Sequence, residues 1–361
     1  DALVKKFPKL NNWLGGELAP TLKQLDAFAN TTHTAIGLLF LPQPPEEPLP
    51  ISDFRTLPEI RLSRPSGDLL DTIYLCQQRQ AWYRDYQRLH SMEAVTFVRS
   101  ASVADKVPRV AAEIAKAIGF GLAERQQSPN WSEALRHFIS QVEQAGILVM
   151  VSGVVGSNTQ RPLNVEEFRG FALADSLAPL IFINGKDSKA AQMFTLAHEL
   201  AHLWLGESGV SDTQAATQPD EHIERWCNAV ATELLVPLEQ LRSVYDPQNE
   251  LYEEMQRIAR QFKVSTLVIV GRLFDLGVFD QETLWATYRA ELERVKTLSA
   301  RESSGSDFYN TLSARTGKRF VKALVASTLE GQTQFTDAFR MLGIKKTATF
   351  YKEAQRLGLQ V

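Results

Sequence analysis

"TLAHELAHLW", residues 195–204, decides how the chain is read, because it sets His198 and His202 four residues apart with Glu199 between them. On a helix, residues four apart project along nearly the same line, one turn above each other. Two imidazoles placed this way converge on one point, as a pair of zinc ligands does. Glu199 stands beside that line, where its carboxylate reaches a metal-bound water without binding the metal and takes the water's proton. Leu196, Leu200 and Leu203 form an apolar stripe on the other side, so the histidines do not fill the leucine face. The His-Glu-x-x-His spacing also arises by chance in helices whose histidines are merely solvated, so its weight depends on a third ligand. No histidine stands six residues after His202, which excludes the extended three-histidine pattern.

The third ligand is sought in "DEHIERWCNAVATELLVP" (220–237), a helical pattern closed by Pro237. It offers Glu221, His222, Glu224 and Glu233. Glu224 and Glu233 are half a turn out of phase, so the two cannot face one metal. Glu221 points close to the direction of Glu224 and is its true rival; Glu233 and His222 also stay open. Glu224 is favoured. Asn228, one turn further on, shares its face and is placed to hydrogen-bond a ligand histidine from behind.

Around these helices the texture alternates. "ILVMVSGVV" (147–155) and "FRGFALADSLAPLIFING" (168–185) are β-rich and punctuated by turns, enough for three strands. Helix resumes with Asp187 or Ser188 as N-cap and runs to Gly206. Two more helical segments, near 249–262 and 265–275, are joined by "QFKVS". Upstream, "LPQPPEEPLPISDFRTLPEIRLSRPSGD" (41–68) carries seven prolines, a density that opposes helices and sheet ladders and predicts an extended strap. "RESSGSD" (301–307) reads as a hinge. The expected organisation is a helical remnant at 1–42, a Pro-rich linker at 43–68, a helical region at 69–130, a metal-site core at 131–275 and a C-terminal helical domain at 276–361. The fold class is α+β, predominantly helical.

Bulk properties exclude several classes. With 361 residues, 44% hydrophobic, 22% charged and a net charge of −3, the chain reads as globular, with no overall field drawing it to nucleic acid or anionic membrane. Residues 301–361 hold ten Lys/Arg against five Asp/Glu, a basic tail that a solvated helical face explains. Cys76 and Cys227 form no metal or disulfide spacing, which points to a reducing cytoplasm. No apolar run reaches the roughly 20 residues of a membrane helix, and no membrane partner is expected.

"FTLAHELAHLWLG" (194–206) and "ERWCNAVATELLVP" (224–237) together resemble the ImmA/IrrE metallo-endopeptidases of bacteria and phages. The second stretch is similar to that family's Glu-x-x-Ala-Asn-x-Phe-Ala-x-Glu-Leu-Leu-Met-Pro, with Cys227 and Val230 in place of its Ala and Phe. The resemblance spans roughly residues 145–275. It implies a gluzincin-like fold, with a small twisted sheet over the active helix, the strand within 178–185 as the edge of a substrate cleft, one Zn2+ held by His198, His202 and Glu224, and Glu199 as the catalytic base. It further implies a substrate that is an XRE-like repressor or an antitoxin. "WLGGELAPTLKQLDAFA" (13–29) looks like the later helices of an XRE-type helix–turn–helix domain whose first helices are absent; with four Lys/Arg and five Asp/Glu in residues 1–50, protein contact is expected over DNA reading. The competing reading is a non-proteolytic or latent regulator in a toxin–antitoxin or stress-response pair.

Overall fold

The computed structural model describes residues 2–32, 34–43, 45, 48–54, 65–211, 222–299 and 312–359. Its N-terminal helices are α1 (Ala2–Lys6), α2 (Leu10–Leu14) and α3 (Leu22–Thr32), gathered around the rings of Phe7, Trp13 and Phe28. Strand β1 (Ser52–Asp53) follows, then α4 (Gly67–Leu89), α5 (Val107–Ile118), α6 (Leu122–Gln126) and α7 (Trp131–Gln144). The central part comprises β2 (Leu148–Ser152), β3 (Gly170–Leu173), β4 (Leu180–Asn184), α8 (Lys189–Leu205), β5 (Gly209–Ser211) and α9 (His222–Leu235). After it come α10 (Leu238–Val244), α11 (Leu251–Phe262), α12 (Thr266–Asp275), α13 (Gln281–Ser299), α14 (Leu312–Thr316), α15 (Lys318–Leu329), α16 (Phe335–Leu342) and α17 (Thr347–Arg356). The architecture is α+β and predominantly helical, around one mixed sheet in the order β1-β5-β3-β4-β2.

The sheet is buried on both faces, and its side chains sort by the two-residue period of a strand. Val149, Val151, Ala172, Ile181 and Ile183 face one core, shared with α5, α7, α8, α9, α11 and α12. Leu148, Met150, Phe171, Leu173, Leu180 and Phe182 face a second core, closed by α4 and by α15–α17. Such continuous apolar strands need cover on each side. Helix α8 lies against β3 and β4, and α9 packs along α8 and α5.

Two expectations are corrected here. The run 178–185 is not a cleft edge: β4 pairs with β2 on one side and β3 on the other, so its backbone groups are committed. The Pro-rich strap does join the sheet, because residues 51–54 carry no proline and keep their N–H groups; Ser52–Asp53 pairs in parallel with β5. The expected hinge at 301–307 lies outside the described residues.

Candidate metal centre

Helix α8 begins where its sequence allows a clean start. The Ser188 hydroxyl accepts from the Ala191 N–H, satisfying one orphan donor of the first turn. It ends at Gly206, whose φ of +76° is a left-handed value that a side chain would resist. Between these caps, the residues from Gln192 to Leu205 are all buried. The leucine stripe therefore does not separate a core face from an open face; the histidine side is enclosed too, by α9.

Helix α9 is held at its far end by two arginines. Arg125 donates to Leu235 O at 2.5 Å, and Arg272 donates through Nε to Val236 O at 2.8 Å while pairing with Glu233. These bonds occupy carbonyls that a helix terminus leaves without partners. They also engage Glu233 away from α8, so it is no rival for the metal site. His222 is exposed, and Glu221 lies outside the described residues.

The opposite end of α9 brings Glu224 and Asn228 to the histidines. His198 Nε2 and His202 Nε2 are 2.9 Å apart; Glu224 Oε1 lies 2.9 Å from the second and Glu224 Oε2 3.3 Å from the first. Ligands bonded at about 2 Å around a tetrahedral ion are about 3.3 Å apart, so the triangle is the size that zinc requires. His198 Nδ1 is 2.9 Å from Asn228 Oδ1. An Nδ1–H donated to that oxygen leaves the Nε2 lone pair aimed at the triangle's centre. The donor set of two imidazoles and one carboxylate fits a divalent ion, and zinc fits it chemically.

Electrostatics agree with the roles at three of the four residues. At His202 burial opposes the charge, but Cys227 and the Glu224 carboxylate outweigh it and raise the pKa well above the usual value, favouring a positive charge where a ligand ring is neutral. Burial opposes the charge on Glu224, but the two imidazoles outweigh it and hold the carboxyl down at about 2. Burial dominates at His198 and lowers its pKa, favouring the neutral ring that ligates metal. Glu199 behaves oppositely to Glu224. Its two oxygens are buried without a well-formed hydrogen bond, and burial, reinforced by the Glu224 charge, pushes it up to about 8. A buried carboxyl left unsatisfied and readily protonated is what a proton shuttle requires.

Four further residues shape the site; Gly170, Ser211 and Phe54 gave no sequence signal of doing so, whereas Cys227 stands within the second motif. Gly170, at the start of β3, lies so close over α8 that a Cβ there would stand 2.6 Å from Thr195 Cγ2 and 3.2 Å from Glu199 Oε1. The Ser211 hydroxyl, itself unpartnered, sits beside Glu199 and favours its charged form. Phe54 stacks on the His202 ring, centroids 5.1 Å apart and planes 17° apart. Cys227 is a free thiol buried against His202, and burial raises its pKa.

Comparison with known proteins agrees with this geometry. Residues 142–274 match the Peptidase_M78 family model, described as the IrrE N-terminal-like domain. Residues 316–356 match a second family model, a domain of unknown function. No curated protein matches the chain. The stretch from the end of α7 to the end of α12, which contains both helices of the metal centre, is thus the part of the chain similar to the M78, IrrE N-terminal-like peptidase domain.

Proposed function

We propose that the chain is a zinc-dependent endopeptidase acting in the cytoplasm on a specific protein, an XRE-like transcriptional repressor or an antitoxin. The observation that carries the reading is the convergence of His198, His202 and Glu224 at ligand spacing beside the unpartnered carboxylate of Glu199. Zinc, held by those three residues, would supply Lewis acidity toward water and toward the scissile carbonyl. Asn228 fixes the His198 ring so that Nε2 presents its lone pair. Glu199 takes a proton from the attacking water on a carboxylate oxygen and gives it to the leaving amine nitrogen. Its raised pKa suits it to hold that proton between the two events.

The substrate class rests on the family resemblance. It is tested by incubating the zinc-loaded chain with a small XRE-like repressor encoded beside its gene and looking for discrete fragments. Glu199→Gln should keep the metal and lose the cleavage. Equal cleavage by the variant would refute the mechanism.

A second reading has one observation in its favour. His198, Glu199 and His202 are 0% exposed and Glu224 1%, so no peptide reaches them in this state. A latent regulator acting through protein or DNA contact would tolerate that closure. Among the described residues no helix is long and apolar enough to cross a membrane, and the reading places none there.

A further inference from the structure

A strand from the far side of the chain lies against the site. After Gly206 the backbone turns into β5, which pairs antiparallel with β3 in the register Gly170–Ser211, Phe171–Val210 and Ala172–Gly209. β1 then adds in parallel to the outer edge of β5, Ser52 opposite Gly209 and Asp53 opposite Val210, and the Phe54 N–H donates to Val210 O at 3.0 Å. This places the Phe54 ring, 7% exposed, flat against His202. The seat is shaped for it: a Cβ on Gly209 would lie 2.2 Å from both Phe54 Cδ2 and Cε2. Gly209 is therefore a glycine that makes room for one ring.

We infer that residues 52–54 form an internal blocking strand, which occupies the β5 edge and the seat beside His202 that an extended substrate segment with an aromatic side chain takes. The attachment is divided: Leu49 and Ile51 pack on the second core, while the pairing that covers the site is short. A strand of two residues contributes few backbone bonds, far below what makes a pairing stable by itself. Pro48 and Pro50, just upstream, have no N–H with which to extend the ladder. Once the strand leaves, the edge of β5 offers unpaired backbone groups to an incoming chain, and the ring seat supplies selectivity. The inference rests on the peptidase reading for its substrate, but the block itself is observable without catalysis.

The test measures how fast a chromophoric chelator withdraws zinc from the loaded full-length chain, in wild type, Phe54→Ala, Gly209→Ala and the double variant. Phe54→Ala and Gly209→Ala should each speed withdrawal at least tenfold, and the double variant should be no faster than Phe54→Ala. A peptide of residues 49–54, LPISDF, should slow withdrawal from Phe54→Ala again, and the same peptide ending in Ala should not. Melting midpoints of the zinc-free proteins identify a variant that has lost its fold; Gly209→Ala reaches the block from the opposite side and leaves every metal-site side chain in place. Unchanged withdrawal in both single variants, or equal action of the two peptides, overturns the blocking strand. Faster withdrawal with no proteolysis by any variant leaves the strand standing and removes the peptidase. A wild-type chain that takes up no zinc removes both.

Discussion

Asn228 Oδ1 lies 2.9 Å from His198 Nδ1, one turn along α9 from the Glu224 that faces the other nitrogen of the same ring. One helix thus supplies both a ligand and the support for another ligand. Removing such an outer support weakens metal binding about 10- to 100-fold. Asn228→Ala should therefore shift zinc affinity by that amount in chelator competition while leaving the apo protein's helical circular dichroism unchanged.

Zinc should also stabilise the chain as a whole. A ligand at a hundred times its dissociation constant adds about 2.7 kcal/mol to a protein that binds it only when folded. The melting midpoint should rise by a few degrees on adding zinc. Glu224→Ala should abolish that rise, because the two imidazoles alone leave the triangle without its carboxylate. An equal rise in the variant would mean that the ion sits elsewhere.

Gly170→Ala tests how tightly β3 presses on α8. The new methyl would meet Thr195 Cγ2 at 2.6 Å and the Phe182 carbonyl oxygen at 2.9 Å, and a backbone oxygen cannot swing aside. Overpacking of this kind costs about 1–3 kcal/mol. Denaturant titration should show that loss. Proteolysis should fall more than zinc affinity does, since the methyl crowds Glu199 and not the imidazoles.

A pH effect follows from Glu143, near the end of α7. It is buried beside the start of α15, where its Oε1 accepts from the Arg319 N–H at 3.0 Å. Burial is the strongest influence on it and outweighs that N–H and the Arg319 charge, raising its pKa from 4.5 to about 7. A carboxyl that binds its proton more tightly when folded contributes stability below pH 4.5, and that contribution is lost as pH rises through 7. The full swing is about 3 kcal/mol. Glu143→Gln keeps an accepting oxygen without the charge. Its melting midpoint should fall less between pH 5 and pH 8 than that of the wild type, and a parallel fall would show that Glu143 is not the group responsible.

The metal centre was legible where its logic is local. Histidines one turn apart, a serine at 188 and a glycine at 206 state a helix, its ends and its chemistry within some twenty residues. Glu224 and Asn228 were legible because they share one face of a second helix. The cover was not. β1 and β5 are two and three residues long, too short for any periodicity, and their pairing joins positions more than 150 residues apart. The proline density around β1 hid the stretch of 51–54 that keeps its donors. The run 178–185 was misjudged because an all-apolar strand signals burial on both faces and says nothing about which neighbours flank it.

Arg79 of α4 donates twice to the Met341 carbonyl, at 3.0 and 2.8 Å, tying the first long helix to the last part of the chain across the second core. Trimming the chain to the family-matching stretch, 142–274, would strip that shell away and lay Phe171, Phe182, Leu180 and Met150 open to water. A bare apolar sheet of that kind sticks to its own copies. The matched fragment alone should precipitate, its two flanks acting as a solubilising jacket over that face of the sheet.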